Sequence, residues 1–169
     1  LTGQIDVMVH NAGVAAAGAF EDMPQSAWGP IFATNVFGPI ELTRALLPTL
    51  RSQPAAAILN IGSVFGSLGY PGFTAYSATK FALRGFTEAL RRELADSAVQ
   101  VHYFAPRATK TGMNASAVDR MNAELKVAMD PPAQVAAAAC SMLEAGKTGA
   151  VFGWPEKLFV RINALLPGA

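Results

Sequence analysis

Residues 5–13 of the chain read Ile-Asp-Val-Met-Val-His-Asn-Ala-Gly. The first five residues are nearly all apolar, which is typical of a short strand covered by helices on both faces of a sheet. The polar and small residues that follow mark the end of this strand. Three further runs of similar character, each bounded by turn residues, occur at residues 57–61, 99–105 and 149–152.

Long stretches with helical patterning separate the four candidate strands. They cover roughly residues 25–52, 74–97 and 131–145. Strand, long helix and strand in this order form βαβ units, whose crossovers are almost always right-handed. The sequence therefore predicts an α/β fold with an open, doubly wound, Rossmann-like parallel sheet.

The number of strands is small for a complete dinucleotide-binding sheet, which has six strands in two halves. The chain begins at Leu1-Thr2-Gly3, directly before an apolar strand that would have one unpaired edge. We therefore expect the chain to be the second half of a longer protein. Residues 1–153 would form the C-terminal portion of the Rossmann-like domain, and residues 154–169 an amphipathic extension.

The composition excludes several classes of protein. Hydrophobic residues make up 51% of the chain and charged residues 15%, which rules out intrinsic disorder. The net charge is +1 with mixed signs, so no basic stripe favours nucleic-acid binding. One cysteine excludes an internal disulfide framework, and no apolar run is long enough for a membrane span. These features predict a cytoplasmic protein.

Small and hydroxyl-bearing residues follow the strands at the edge where ligands bind in open α/β sheets. Asn11-Ala12-Gly13 follow the first strand, Ser63 follows the second, and residues 106–112 follow the third. Tyr76 and Lys80 come soon after, four residues apart, so they share one face of a predicted helix.

The Tyr76–Lys80 pair suits proton transfer. A phenol has a pKa near 10, and a nearby ammonium is expected to lower the pKa of Tyr76 by about 1–3 units. Tyr76 would then exchange a proton with an alcohol or carbonyl near neutral pH, while Ser63 hydrogen-bonds the same oxygen. A Tyr–Lys pair alone also arises by chance, so the other polar residues must support this interpretation.

The combination of Asn11-Ala12-Gly13, Asn35, Ser63 and Tyr76-x-x-x-Lys80 resembles the short-chain dehydrogenases/reductases. The likeness covers residues 5–152. It implies an enzyme that interconverts a carbonyl and a secondary alcohol with NAD or NADP. The resemblance implies that Tyr76 is the general acid/base and that Lys80 lowers the pKa of Tyr76 and binds the nicotinamide ribose. It also implies that Ser63 positions the substrate and that Asn35 holds a water.

The resemblance also implies residues that contact the cofactor. Besides Tyr76 and Lys80 they are Asn11, Ala12, Gly13, Pro106 and Thr111. Two departures stand out: the family's glycine-rich phosphate turn is absent from these residues, and Arg107 stands where the family usually has glycine. Arg107 must therefore turn its side chain away or add a contact.

Other features concern the substrate and the assembly. Residues 109–130 form the expected substrate lid, whose composition suggests an apolar small-molecule substrate. The helices at 25–52 and 74–97 are more apolar than one sheet face requires. The family pairs these helices across a two-fold axis, so we expect a homodimer or homotetramer.

Alternatives remain at this level. The chain could be a catalytically silent fragment that serves as an oligomerisation or interaction module, or its chemistry could be epimerisation or dehydration. The apolar face of residues 154–166 could pack on its own domain or a partner, form a lid or touch a membrane. We expect His10 and His102 to be structural, Cys140 to be a small core residue, and no metal site.

Overall fold

The four predicted strands form one parallel sheet. The computed structural model describes residues 4–112 and 127–167. Strands β1 (Val7–His10), β2 (Ala56–Ile61), β3 (Val99–Pro106) and β4 (Gly149–Phe152) lie in sequence order, and each pairs with the next in parallel. The predicted α/β class and parallel sheet are confirmed, with strand ends shifted by no more than two residues.

The first predicted helix is a chain of four helical segments. A 3-10 turn at Gln25–Ala27 leads into α1 (Trp28–Phe32), a π-helical segment at Ala33–Phe37 and α2 (Gly38–Arg51). Pro39 has no amide hydrogen to donate to the carbonyl of Asn35, four residues earlier, so α-helical bonding is interrupted there. The π-helical segment spans this interruption and carries Asn35.

The remaining helices follow the sequence prediction closely. They are α3 (Thr74–Glu93), α4 (Pro132–Glu144) and α5 (Glu156–Leu165). Most of the predicted lid, residues 113–126, lies outside the described residues, and its role stays a prediction.

The core consists of two apolar clusters on opposite faces of the sheet. Ile58 of β2 packs with Leu50 of α2 and Leu90 of α3 in one cluster. The neighbouring Leu59 points to the other face and packs with Phe104 and with Met142 of α4. Because the strands run in one spatial order while α3 and α4 cover opposite faces, the α3 and α4 crossovers have opposite hands. One of the two therefore departs from the right-handed crossover that βαβ units almost always have.

Both histidines have structural partners, as expected. Nε2 of His10 lies 3.0 Å from Oγ1 of Thr43, and Nδ1 of His102 lies 2.8 Å from the carbonyl oxygen of Lys147. Cys140, in contrast, is exposed rather than in the core. Its position on the alanine-rich α4 faces away from the Met142 side, so the prediction of a core cysteine was wrong.

The C-terminal helix leaves its apolar face in solvent within the described part of the chain. The exposed large side chains in this region are Trp154, Leu158, Phe159, Ile162, Leu165 and Leu166. Asn163 anchors the inner side of α5, since its Nδ2 donates to the carbonyl oxygen of Ser67 at 2.9 Å. Within residues 4–112 and 127–167, no helix combines the length and the apolar character needed to cross a membrane.

Candidate active site

The predicted site residues gather at the carboxyl ends of three parallel strands. Strand β2 ends at Ile61, two residues before Ser63, and β3 ends at Pro106. Strand β1 ends at His10, just before Asn11. The parallel pairing brings these three strand ends to one edge of the sheet, which is where the sequence placed the ligand.

Ser63 begins a short 3-10 helix that turns the chain away from β2. Its backbone is extended, and its Oγ accepts a hydrogen bond from the amide of Phe65 at 3.1 Å, capping the segment Val64–Gly66. This bond fixes the orientation of the Ser63 side chain at the sheet edge.

Lys80 lies almost completely buried in the second turn of α3. Its side chain contacts the end of β2, where Nζ donates to the carbonyl oxygen of Ile61 at 3.1 Å. Nζ also lies 5.6 Å from the centroid of the Tyr76 ring. Burial lowers the pKa of Lys80 to about 8. The amine therefore changes charge near physiological pH.

Tyr76 lies in the first turn of α3, next to Ser63. Burial raises the pKa of its phenol, and a hydrogen bond with the Ser63 side chain opposes this increase. The expectation that Lys80 lowers the pKa of Tyr76 below its ordinary value was therefore wrong for this chain. Burial disfavours the charged phenolate more strongly than its neighbours favour it. The same burial lowers the pKa of Lys80, so the amine carries its positive charge less readily.

Asn35 connects the π-helical segment to two other elements. Its Oδ1 accepts from the amide of Val14 at 2.9 Å, and its Nδ2 donates to the carbonyl of Val14 at 2.8 Å and to Oγ1 of Thr79 at 3.0 Å. Thr79 in turn donates to the carbonyl oxygen of Tyr76 at 2.7 Å. The side chain thus fastens the loop after β1 to the first turn of α3.

The residues expected at the cofactor lie around this edge. Asn11 and Ala12 are exposed and Gly13 is half-buried in the loop after β1. Pro106 is the half-buried last residue of β3, and Thr111 is exposed five residues later. Among the described residues, no three His, Cys, Asp or Glu side chains lie together in a way that could hold a metal ion.

Arg107 turns away from the sheet edge and binds three other segments. Its guanidinium forms two hydrogen bonds with the carboxylate of Asp130, at 2.7 and 2.8 Å, and one with the carbonyl of Trp154 at 2.8 Å. Glu156 lies 3.5 Å from the same group. The first of the two outcomes expected for Arg107 is therefore confirmed: its side chain is directed towards Asp130 and α5.

Two residues that hold site residues in place by hydrogen bonds were not predicted from the sequence. Thr79 holds both Asn35 and the Tyr76 carbonyl, and Asp130 holds Arg107. A hydroxyl three residues after Tyr76 in a helix is a recognisable signal for such a backbone bond. The Asp130 contact joins residues 23 positions apart in the sequence, and no local pattern indicates it.

With this geometry established, comparison with known proteins identifies the family. A family model described as short chain dehydrogenase matches residues 1–122. The chain belongs to the short-chain dehydrogenases. The Bacillus subtilis protein named uncharacterized oxidoreductase YusZ is a relative within this family, 39% identical over 109 residues. That match covers 64% of this chain and 39% of YusZ, so the matched segment is well under half of that oxidoreductase.

Solved structures of short-chain dehydrogenases share the fold over nearly the whole chain. One from Streptomyces avermitilis is 32% identical, with a TM-score of 0.83, and covers 98% of this chain and 68% of its own. One from Burkholderia phymatum in complex with NAD has a TM-score of 0.88 at 23% identity, covering 98% and 67%. Another, from Burkholderia cenocepacia in complex with NADP, has a TM-score of 0.83 at 24% identity, covering 96% and 65%. At these last two identities the likeness concerns the fold alone.

Proposed function

We propose that this chain carries the catalytic part of an oxidoreductase that interconverts a carbonyl and a secondary alcohol with NAD or NADP. The observation that carries the proposal is the convergence of Ser63, Tyr76 and Lys80 at the carboxyl edge of β2. A phenol, a hydroxyl and an amine in this arrangement can bind one small oxygen-bearing ligand and exchange a proton with it. Membership of the short-chain dehydrogenases supports the redox assignment.

The donors at this edge fit a nicotinamide cofactor. Lys80 has three N–H donors, and its bond to the Ile61 carbonyl uses one, which leaves donors for ribose hydroxyls. Asn11, Ala12, Gly13, Pro106 and Thr111 would line the rest of the cofactor groove: the first three follow β1, Pro106 ends β3, and Thr111 lies five residues later. When bound, the cofactor supplies or accepts the hydride at the substrate carbon. Membership of the short-chain dehydrogenases supports this cofactor class.

The chain's own residues would handle the proton. Because burial raises the pKa of Tyr76, its phenol keeps the proton at neutral pH and can donate it to a carbonyl oxygen as that oxygen gains negative charge. Ser63 would hydrogen-bond the same oxygen and hold it in line.

Asn35 would support proton supply rather than touch the substrate. Its side chain is already engaged with Val14 and Thr79. Asn35 would hold a water that links Lys80 to solvent.

The proposal also covers the substrate, the location and the assembly of the protein. The substrate would be a small, apolar carbonyl or alcohol covered by residues 109–130, and the protein would act in the cytoplasm. Phe37, Leu42 and Phe81 are exposed apolar residues on the helical layer beside the sheet. They support association into a homodimer or homotetramer through this layer.

Isotope transfer tests the proposed reaction directly. The full-length protein is incubated with NADH or NADPH carrying deuterium at the transferable position and with a panel of apolar ketones and aldehydes. Deuterium on the carbinol carbon of the product is the expected result. Conversion of the carbonyl to the alcohol without deuterium on that carbon would reject hydride transfer from the labelled cofactor.

A second candidate is a silent interaction module, favoured by the exposed apolar side chains on the helices. Such a module would oligomerise but bind no dinucleotide. Titration with NADH and NADPH, followed by their fluorescence, separates the two candidates: saturable binding supports the enzyme, and no binding to the full-length protein supports the module.

A further inference from the structure

Tyr103 lies directly beneath the segment that joins β2 to the candidate active site. It is a residue of β3 with only 8% of its surface exposed. In the register of the sheet it sits opposite Asn60, three residues before Ser63. Its ring therefore reaches past the end of β2, towards the backbone that carries the serine.

The phenol oxygen of Tyr103 meets both backbone groups of Ser63. The Ser63 amide donates to Oη of Tyr103 at 3.4 Å, and Oη donates to the Ser63 carbonyl oxygen at 3.5 Å. Both bonds are long, but they act on the same residue from the same hydroxyl. One side chain thus constrains the backbone on both sides of the Ser63 Cα atom.

Two glycines make room for this contact. A Cβ atom at Gly62 would overlap the Tyr103 ring, and one at Gly66 would overlap its hydroxyl. A Cβ at Gly66 would also lie 2.8 Å from the backbone oxygen of Lys80. The segment from Gly62 to Gly66 is therefore held between Tyr103 on one side and α3 on the other.

We propose that Tyr103 is a positioning residue for Ser63, and that through Ser63 it sets the hydrogen bond to the Tyr76 phenol. This inference rests on the proposed function of Ser63 and Tyr76. Tyr103 touches neither substrate nor cofactor in this role. It fixes the backbone from which the Ser63 hydroxyl is presented.

The chemistry of Tyr103 suits a fixed support. Burial raises its pKa to about 12, so its hydroxyl stays neutral across the physiological range and can donate and accept at the same time. Negative charge on Tyr76 also raises the pKa of Tyr103, which places the two phenols within electrostatic reach. Ser63 links them.

A double-mutant cycle in the full-length protein tests the proposal. Tyr103→Phe keeps the ring and removes only the hydroxyl, so kcat should fall about twofold to tenfold while KM for the cofactor is unchanged. In a Ser63→Ala background the same change should have no further effect on kcat, because the hydroxyl that Tyr103 positions is gone. Equal effects of Tyr103→Phe in both backgrounds, or a lower melting temperature with unchanged kcat, would overturn the proposal.

A readout that needs no turnover accompanies the cycle. Tyrosine labelled with carbon-13 at the ring carbon bearing the hydroxyl reports the pKa of Tyr76 by NMR, with the signal assigned by Tyr76→Phe. Because the Ser63 hydrogen bond lowers the pKa of Tyr76, weakening it through Tyr103→Phe should raise that pKa. An unchanged pKa of Tyr76 would contradict the proposed link.

Tyr70→Phe is the matched control, since Tyr70 is exposed and stacks on Phe65. It should leave both kcat and the pKa of Tyr76 as in the wild type. The cycle also separates the two levels of the account. Wild-type turnover in Ser63→Ala would overturn the proposed function together with the role of Tyr103. A large loss in Ser63→Ala with wild-type kcat in Tyr103→Phe would overturn the role of Tyr103 alone.

Discussion

The ammonium of Lys80 donates to the carbonyl oxygen of Ile61 at 3.1 Å, which ties α3 to the end of β2. This contact places a cation in a position that is 4% exposed. Burying a charge has a free-energy cost, and the lowered pKa of Lys80, about 8, reflects it. The residue is thus expected to reduce stability while it serves the site.

Replacing Lys80 with methionine should therefore stabilise the fold at pH 7 by about 1–2 kcal/mol, after allowing for the lost bond to Ile61. Below pH 8 the amine is charged in both the folded and unfolded states, and the full cost of burial is present. Between pH 8 and 10.5 the folded state loses its proton first, so stability of the wild type rises and the advantage of Lys80→Met shrinks. Urea unfolding at pH 7 and pH 10 measures this difference.

The exposed Lys157 provides the control for that experiment. Lys157→Met should change stability little at either pH. A Lys80→Met variant less stable than the wild type at pH 7 would show that the hydrogen bond to Ile61 outweighs the cost of burying the charge.

Asn35 should contribute to stability independently of any catalytic role. Its side chain makes three hydrogen bonds, to both backbone groups of Val14 and to Thr79. Asn35→Ala should lower the free energy of unfolding by about 1–3 kcal/mol and speed hydrogen exchange at the Val14 amide. The matched change Asn163→Ala removes one bond, to Ser67, and should cost less. Equal losses for the two variants would contradict the bridging role of Asn35.

Arg107 should stabilise the fold by holding the end of β3 to Asp130, 23 positions later in the sequence. Its ion pair with Asp130 is mostly buried, with side-chain exposures of 17% and 12%. Arg107→Ala should lower stability at pH 7 by about 1–2 kcal/mol, measured by thermal or urea unfolding. Arg44→Ala, which breaks an exposed ion pair with Glu41, should cost less than about 0.5 kcal/mol.

The Arg107–Asp130 ion pair also has a pH signature. The guanidinium holds the pKa of Asp130 below its ordinary value of 3.8, so the stabilisation is present above that value and is lost as the pH falls through the lower, folded-state pKa. The difference between wild type and Arg107→Ala should shrink in acid below about pH 4. A difference that stays constant down to pH 2 would contradict the ion pair as its cause.

The alternation of strands and helices was readable from the sequence because it depends on local patterns. Apolar runs such as residues 57–61 give strands, and turn residues give their ends, so the parallel sheet and its ligand-binding edge followed. The Tyr76–Lys80 spacing likewise placed both residues on one face of α3. These features need no knowledge of distant contacts.

What the sequence did not indicate depends on contacts between distant residues. The opposite hand of the α4 crossover is set by which sheet face accepts Met142, and the Arg107–Asp130 pair joins residues 23 positions apart in the sequence. The pKa of Tyr76 was predicted in the wrong direction because the spacing to Lys80 is local, whereas burial results from the packing of the whole site. Tyr103 and Ser63 are 40 positions apart in the sequence. The only local sign of their contact is the pair of glycines, Gly62 and Gly66, that make room for the Tyr103 side chain.

The most direct test of the account is the turnover of Tyr76→Phe in the full-length protein, with Tyr70→Phe as the control. The variant keeps the ring against Lys80 and Phe65 but removes the proton that the reaction needs. We expect kcat to fall at least about 100-fold while the dissociation constant for NADH or NADPH changes less than about twofold. Carbonyl reduction by Tyr76→Phe at a rate close to that of Tyr70→Phe would contradict the central claim.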